Sequence, residues 1–397
     1  MARILYLKTI DEAKAALKAV GVDDAGTNLM APKTLNRVIK VDGVDARGAS
    51  ILKQDMLSLG GDAALPMDVY TLKQKEVSVI LIGHLKQYRR LLKKLKIQPY
   101  GLKKVAEEVE IALKNFEATT ILKTASFEFD FSKRTYLMGV LNVTPDSFSD
   151  GGQFNTVEAA VRQAQSLEEV GADVVDIGGQ STRPGSCQVS VEEEIERVIP
   201  ALRAVKNKVK IPISIDSYKP QVVEAALDAG AEIVNDINGL RDKAVRSLVV
   251  KNQAPVIIMH MQGTPQNMQD NPSYDDVVED IYKFFEEQSR LVIEEGAGSD
   301  KVIIDPGIGF GKTLEHNLEI LRRLSEFKSL GFPLLVGTSR KSFIGTLTGA
   351  EVMERLFGTI ASVSLAVASG ANIVRVHDAS AAKQALQVVD GISNSEF

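Results

Sequence analysis

The chain has 397 residues, 44% of them hydrophobic and 25% charged, with a formal net charge of −5. This length favours two domains, the composition is typical of a globular protein with a large core, and the charge excludes the basic signature of nucleic-acid binding. The one cysteine, Cys187, excludes a disulfide within the chain, which predicts a reducing, cytoplasmic location.

Residues 1–118 are predicted to form a small α/β domain, followed by a linker over residues 119–126. RVIKVDGV and VSVILIGH have strand character, whereas LKQYRRLLKKLK is helical and strongly basic. VSVILIG is too short to span a bilayer, so we expect no membrane association. Residues 1–125 hold 21 basic and 14 acidic residues and the remainder holds 26 and 38, which favours a separate module. A solvated helix face explains the basic helix better than an acidic partner does, and no role for this domain is predicted.

The rest of the chain, residues 127–397, alternates short apolar runs with helical stretches. Continuous apolar runs are typical of parallel strands that are buried on both faces. The eight runs are 136–143, 173–178, 211–216, 232–237, 255–260, 301–306, 333–339 and 372–377. Eight such units predict a (β/α)8 barrel, and an open doubly wound sheet is disfavoured because no Gly-rich fingerprint follows the first strand. SFEFDFSKRTYL, just before the first run, predicts a hairpin that covers the lower end of the barrel.

Polar side chains stand where the predicted strands stop, at the end of a barrel that usually carries the active site. One Asp or Asn at such a place often only satisfies loop backbone, but every strand here delivers such a group. In strand order they are Asn142 with Asp146, Asp176, Asp216, Asn235 with Asp236, His260, Asp305, Arg340 with Lys341, and Arg375 with His377. The pattern therefore predicts an active site at this mouth.

The residues at the mouth suggest two kinds of recognition. Arg340, Lys341, Arg375 and His377 follow the last two strands, where barrels often bind phosphate. Asn142 could supply an oxygen to Mg²⁺, which needs few protein ligands when phosphate and water provide the others. The oxygens of Asp216, Asn235 and Asp305 would suit a heterocycle with amino and ring N–H groups, because buried carboxylates need donors.

Two loops add apolar surface near this mouth. NVTPDSFSDGG places Phe148 after the first strand, and STRPGS places Arg183 and Pro184 after the second. A phenylalanine in a polar, Gly-rich loop favours a lid over an apolar ligand. DPGIGFGKT is not a phosphate-binding P-loop, because Pro306 stands where that motif requires Gly. Cys187 has no neighbouring His in the sequence, which disfavours a nucleophilic role.

Several motifs together resemble the dihydropteroate synthases, the pterin-binding enzymes of folate biosynthesis. They occur in family order over residues 127 to about 390, and the first and the seventh are highly specific. The motifs are MGVLNVTPDSFSDGG, DIGGQSTRPGS, SIDSYKP, VNDI, IMHMQGTPQNMQ, IIDPGIGFGK, GTSRKSFIG and RVHD. One departure is Gln180, where the family usually has Glu.

The resemblance implies that para-aminobenzoate displaces pyrophosphate from 6-hydroxymethyl-7,8-dihydropterin diphosphate, with Mg²⁺ as cofactor. It implies catalytic roles for Asp216, Lys341, Arg375 and His377. The implied pterin contacts are Asp216, Asn235, Met259, Asp305 and Lys341. The implied diphosphate contacts are Asn142 with Mg²⁺, and Arg375 and His377 at the last strand, where Val376 is also implied to contact substrate. The implied aminobenzoate contacts are Phe148, Thr182, Arg183, Pro184 and Ser342. Barrels of this family tend to form homodimers.

Two other functions stay open at this point. A methyltetrahydrofolate-dependent corrinoid methyltransferase shares the fold and the pterin-binding acidic groups, but it needs no clamp for pyrophosphate such as SRK and RVHD. A barrel that binds pterin without catalysis would lose residues at the mouth, and Gln180 is the only departure.

Overall fold

The computed structural model describes residues 1–71, 73–144, 153–180 and 189–393. The chain divides into two compact units, Met1–Lys114 and Asn115–Phe397. Within the described ranges, no helix has both the length and the apolar character that crossing a membrane requires.

The first unit is an antiparallel three-stranded sheet with helices. Its strands β1 (Asn36–Asp45), β2 (Asp62–Ala64) and β3 (Glu76–His84) lie in the order β1-β3-β2. Its helices are α1 (Ile10–Ala19), α2 (Asp24–Thr34), α3 (Ala46–Ser58), α4 (Leu85–Leu95) and α5 (Leu102–Glu117). Buried and exposed residues alternate along β3, as expected for a sheet with one face on the core. On the basic helix α4, the apolar side chains are buried, whereas Arg89, Arg90 and Lys93 are exposed.

A hairpin of β4 (Ile121–Lys123) and β5 (Glu128–Asp130) precedes the barrel. The predicted hairpin is present, but its first strand lies in the segment that the sequence suggested as linker. Leu122 and Phe129, which pair across this hairpin, are each 1% exposed because they pack into the lower interior of the barrel. Phe129 also packs edge-on against Tyr136, with ring centres 5.0 Å apart.

The eight-stranded parallel barrel predicted from the apolar runs is confirmed. Its strands are β6 (Tyr136–Asn142), β7 (Val174–Gly178), β8 (Ile213–Asp216), β9 (Ile233–Asp236), β10 (Val256–Met259), β11 (Val302–Asp305), β12 (Leu335–Val336) and β13 (Ile373–Val376). Seven parallel pairings run from β11 through β6 to β13 and β12. A single bridge between Ile304 and Leu334 joins β11 to the β12 side and closes the ring.

Helices follow the barrel strands. They are α6 (Gln153–Glu169), α7 (Val191–Lys206), α8 (Pro220–Asp228), α9 (Lys243–Asn252), α10 (Val277–Glu294), α11 (Leu314–Arg322), α12 (Ser342–Thr348), α13 (Leu356–Ala368) and α14 (Ala379–Ser393). They cover strand residues such as Val175, Ile177 and Val234 in the main apolar core.

The inward faces of the strands change from apolar to polar along the barrel axis. The lower inward positions are filled by Met138, Val174, Ile233, Ile257, Ile303 and Ile373. Side chains two residues apart on a strand share a face. The next inward positions are therefore Val140, Asp176, Asn235, Met259, Asp305 and Arg375. The hairpin seals one end with apolar side chains, and the polar groups gather at the other.

Candidate active site

Arg375 links two carboxylates at the mouth of the barrel. Its Nε donates a hydrogen bond to Asp176 Oδ2 and its Nη2 donates one to Asp216 Oδ2, each over 2.7 Å. The side-chain amide of Asn235 donates to the same Asp176 oxygen over 3.1 Å. Four strands, β13, β7, β8 and β9, therefore place charged and polar groups in one continuous network.

This network has unusual electrostatics because it is buried. Burial raises the pKa of Asp216 to about 7, although Arg375 works in the opposite direction. Burial also raises the pKa of Asp305 to about 6. Burial disfavours the charged form of Arg375, but Asp176 and Asp216 outweigh that effect and raise its pKa. Groups with such shifts in a cleft are typical of functional sites.

Asp305 ends β11, and its Oδ1 accepts a hydrogen bond from the Gly307 backbone over 2.8 Å. Lys312, in the connection that follows β11, is also buried, and the Asp305 carboxylate favours its charged form. Its Nζ lies 3.0 Å from His260 Nδ1 and donates to the carbonyl oxygens of His260 and Phe310. Burial lowers the pKa of Lys312 to about 7 and that of His260 well below its usual value. The contacts of Lys312 with His260 and Phe310 thus link the connection that follows β10 to the connection that follows β11.

An apolar wall stands beside these polar groups. Lys341 Nζ lies 3.9 Å from the centre of the Phe310 ring, within the range of a cation–π contact. Phe310 and Tyr218 pack against a small cluster that is separate from the main core and consists of Ile237, Met259, Met261 and Met268. The site thus combines hydrogen-bonding groups with a flat, apolar surface, as recognition of an aromatic heterocycle requires.

His377 lies beside Arg375 at the end of the last strand. Its Nδ1 is 3.0 Å from Ser339 Oγ, and its backbone N–H donates to the same hydroxyl over 3.2 Å. Burial lowers its pKa to about 4, and the nearby cations Arg375 and Arg340 add to that effect. His377 is therefore neutral at pH 7, where it can donate a hydrogen bond to an anion without contributing charge.

Arg340, expected beside Lys341 as an anion ligand, is engaged elsewhere. Its Nε and Nη2 donate to the two carboxylate oxygens of Asp378 over 2.9 and 2.5 Å. Its φ is +57°, a left-handed conformation that side chains other than glycine rarely adopt. The bidentate pair with Asp378 therefore fixes the turn that presents Lys341, and it occupies Nε and Nη2 of Arg340.

Asn142 lies near Asp216 at the end of β6. A Cβ atom placed on Gly178 would lie 3.7 Å from Asn142 Oδ1 and 3.6 Å from Asp216 Oδ2, so both oxygens border the same small space. In the described ranges, no group of three or more His, Cys, Asp or Glu residues is suited to hold a metal ion. A lone amide oxygen beside a carboxylate suits Mg²⁺ bound mainly by phosphate and water, and not a cage made by the protein.

The remaining sequence-predicted residues fall into two groups. Ser342 begins α12 and is exposed, and Val376 is buried in the barrel core. Five other predicted site residues lie outside the described residues, as does Cys187: they are Asp146, Phe148, Thr182, Arg183 and Pro184.

Sequence reasoning gave Asp176 a place at the mouth but no role. It is fully buried, and its Oδ2 accepts from both Arg375 and Asn235. Its position could have been predicted from the alternation in DVVDIG, because Val174 and Asp176 share the inward face. Its partner could not, since Arg375 is 199 residues further along the chain.

The chain is similar to a family of known enzymes. The family described as pterin binding enzyme matches residues 138–377. Dihydropteroate synthase from Synechocystis sp. is 49% identical over 266 residues, which cover 66% of this chain and 92% of that protein. A probable bifunctional folylpolyglutamate synthase/dihydropteroate synthase from Haloferax volcanii is 39% identical over 383 residues, 94% of this chain and 45% of that protein. The structure of Xanthomonas albilineans dihydropteroate synthase with 7,8-dihydropteroate has a TM-score of 0.64 and 40% identity, and it covers 70% of this chain and 100% of that one.

Proposed function

The chain belongs to the pterin-binding enzyme family as a transferase of the dihydropteroate synthase type, and on this premise we propose how its residues carry the reaction. The substrates would be 6-hydroxymethyl-7,8-dihydropterin diphosphate and para-aminobenzoate, and the products 7,8-dihydropteroate and pyrophosphate. The observation that carries the proposal is the bridge from Arg375 to Asp176 and Asp216, next to Asn235. In this proposal, Arg375 would contact the diphosphate and the neighbouring Asp216 carboxylate would contact the pterin.

The pterin would lie between the polar groups of the mouth and the apolar wall. Asn235 and the Asp305 carboxylate offer oxygen acceptors to the amino and ring N–H groups of the pterin. Met259 and Phe310 offer apolar surface to the ring faces. Lys341, held over Phe310, offers a donor to a ring acceptor.

Bond breaking would separate charge between the two sides of this site. The C–O bond to the diphosphate breaks, its electron pair leaves with the diphosphate, and positive charge spreads from the methylene carbon over the pterin. The Asp216 carboxylate stabilises that charge, and Arg375 and His377 hold the leaving group. The aminobenzoate nitrogen then bonds to the carbon and gives up a proton.

Asn142 is the protein residue that we propose to hold Mg²⁺, which would neutralise part of the diphosphate charge when bound. We further propose that Phe148, Thr182, Arg183, Pro184 and Ser342 contact the aminobenzoate. A site that excludes water protects the pterin cation from hydrolysis.

The test measures pyrophosphate release by the full chain with both substrates and Mg²⁺. We expect release to require para-aminobenzoate and to stop when the metal is chelated. Substrates that bind without any release of pyrophosphate would contradict the proposal. Methyl transfer from methyltetrahydrofolate to a corrinoid protein, with no activity in the first assay, would instead support the methyltransferase.

We also propose that a second copy of the chain covers an apolar face on α13 and α14, in keeping with the tendency of this family to dimerise. Phe357, Leu365 and Val388 are 85%, 68% and 62% exposed on these two helices. Phe357 and Val388 line the same open groove, together with Leu356 and Ile360. Contiguous exposed apolar surface on a folded domain is typical of protein interfaces.

A cytoplasmic location stays our prediction from the cysteine content.

A further inference from the structure

A buried lysine, Lys219, joins three separate parts of the barrel mouth. Its Nζ donates to Gln180 Oε1 over 2.9 Å, to the Val189 carbonyl oxygen over 2.5 Å and to Glu194 Oε2 over 2.7 Å. Lys219 is 8% exposed and Glu194 is 1% exposed. An ammonium group has three N–H donors, so these three acceptors satisfy it completely.

The acceptors occupy informative places in the chain. Gln180 and Val189 stand at the two ends of residues 181–188, the connection between β7 and α7 that includes Arg183. Lys219 itself comes three residues after Asp216, at the end of the next strand. One ammonium group therefore ties both ends of one strand-to-helix connection to the strand end that carries Asp216.

The charges around this ammonium group balance. Glu194 is the carboxylate bound to Lys219, and Gln180 accepts through a neutral amide. Gln180 is also the one position at which the motifs depart from the family pattern. A glutamate there would put a second negative charge in a buried site that one lysine already neutralises, which costs free energy. The amide keeps the hydrogen bond and leaves the buried cluster neutral.

We propose that Lys219 is a positioning residue that fixes the separation of Gln180 and Val189, and so sets the affinity of the enzyme for para-aminobenzoate but not for the pterin. The proposal rests on the proposed function, in which Thr182, Arg183 and Pro184 contact the aminobenzoate. Of the proposed pterin contacts, Asn235, Met259, Asp305 and Lys341 belong to other strands, and Asp216 is held by the hydrogen bond from Arg375 and makes none to this cluster.

The first test is Lys219→Met in the full chain. Small misplacement of a positioning group can cost up to about 100-fold in rate, so we expect the KM for para-aminobenzoate to rise about tenfold or more. The dissociation constant of the pterin diphosphate should stay within about twofold of the wild-type value. Lys206→Met is the matched control, because Lys206 also pairs with a buried glutamate, Glu232, over 2.5 Å at the start of β9. It should lower thermal stability and leave both constants unchanged.

A second variant separates positioning from folding. Lys219→Met leaves Glu194 buried without its partner, whereas Lys219→Met with Glu194→Gln removes both charges. We expect the double variant to regain stability and to keep the raised KM. A folded double variant with a wild-type KM for para-aminobenzoate would overturn the proposal.

Hydrogen exchange gives a readout that does not depend on turnover. Loss of the Lys219 bonds should speed exchange of the backbone amides of Gln180 and of residues 189–191 in the double variant, but not in Lys206→Met. If the wild-type chain were inactive, the proposed function would fail and this exchange result would still decide whether Lys219 holds the connection. Unchanged exchange would reject the role of Lys219 even in an active enzyme.

Discussion

At the scale of single residues, the site holds charged groups where burial disfavours their charge. The pKa of Asp216 is raised to about 7 and that of Asp305 to about 6, both chiefly by burial. Arg375 and Lys341 reduce these shifts but do not cancel them. The carboxylates are therefore ionised only near and above neutral pH, where Asp216, in our proposal, would stabilise positive charge on the pterin.

This arrangement predicts a pH dependence that Asp216→Asn should change. In the wild type, kcat/KM for the pterin diphosphate should fall as the pH drops below about 7, because protonated Asp216 cannot stabilise the cation. Removing one such electrostatic group typically lowers kcat by about 100- to 1000-fold. In the variant, the remaining acid limb should move to about pH 6, where Asp305 titrates. An unchanged acid limb in the variant would contradict the assignment.

The same variant gives a control for folding. Burial raises the pKa of Asp216 in the folded state to about 7, above the usual pKa of an aspartate. The stability that comes from protonated Asp216 is therefore present at low pH and is lost as the pH rises through about 7. Asp216→Asn should therefore raise the midpoint of thermal unfolding at pH 8 and change it little at pH 4. Scanning calorimetry at the two pH values measures this difference.

At the scale of elements, the strands were the most predictable part of the chain. Continuous apolar runs identified all eight barrel strands, because strands buried on both faces need apolar side chains at nearly every position. The run 333–339 overestimated β12, which is only Leu335–Val336. The polar ends of strands indicated Asp216, Asn235 and Arg375, which the structure brings together.

Pairings between distant residues could not be predicted in this way. Local pattern gave Arg340 the same expected role as Lys341, but the Asp378 carboxylate that binds Arg340 lies 38 residues away in sequence. Lys219 likewise stood in the SIDSYKP motif without any sign of its partner Glu194, 25 residues earlier. Such contacts depend on how the helices pack around the barrel. They leave no periodic pattern in a single sequence, so they cannot be predicted from it.

A glycine prediction belongs to the connection after β11. Gly307 has a φ of +66°, and a Cβ atom there would lie 2.0 Å from the His260 carbonyl oxygen. Gly349 has a φ of +73° and no atom within 4 Å of such a Cβ. Gly349→Ala should lower the free energy of unfolding by about 1–2 kcal/mol, because alanine disfavours the left-handed conformation. Gly307→Ala should lower the free energy of unfolding by the same amount and by about 1–3 kcal/mol more, because the backbone at His260 must move away from the new Cβ atom.

Urea unfolding of the two glycine variants measures the difference. Since Gly307 N–H also donates to Asp305, only Gly307→Ala should weaken binding of the pterin diphosphate. Equal losses of stability in both variants would show that the close contact with His260 is not limiting.

At the scale of the whole molecule, the chain contains a barrel unit and a second unit with its own apolar core. The relative from Haloferax volcanii matches 94% of this chain, so its similarity extends into the first unit, whereas the Synechocystis synthase matches only 66%. The first unit is therefore shared by some relatives and is not part of every protein with this barrel.

The position of the hairpin predicts where the barrel can be cut. A fragment that begins at Asn115 keeps β4, whereas one that begins at Ala125 loses it. Leu122 is 1% exposed, and losing a side chain of that kind from a core costs about 2–5 kcal/mol. We expect the longer fragment to unfold at a higher urea concentration than the shorter one. We also expect both fragments to bind pterin diphosphate. Equal unfolding midpoints would show that β4 adds nothing to the barrel.

Self-association can be tested on the apolar face of α13 and α14. Phe357→Glu places a charge in the proposed interface and should convert a dimer to a monomer in sedimentation experiments. Val20→Glu, at a position that is 79% exposed in the first unit, is the matched control and should leave the mass unchanged. A wild-type chain that sediments as a monomer at micromolar concentration would refute the second-copy proposal.

The barrel closes between β11 and β12 through one isolated β-bridge, Ile304 to Leu334, and not through a continuous strand pairing. Asp305 stands on one side of that bridge, and Lys341 follows the strand on the other. A pterin bound by both residues would therefore connect β11 and β12, the two neighbouring strands with the fewest backbone contacts between them. Substrate should then slow hydrogen exchange of β11 and β12 more than exchange elsewhere in the ring, so that ligand binding and barrel closure become a single event.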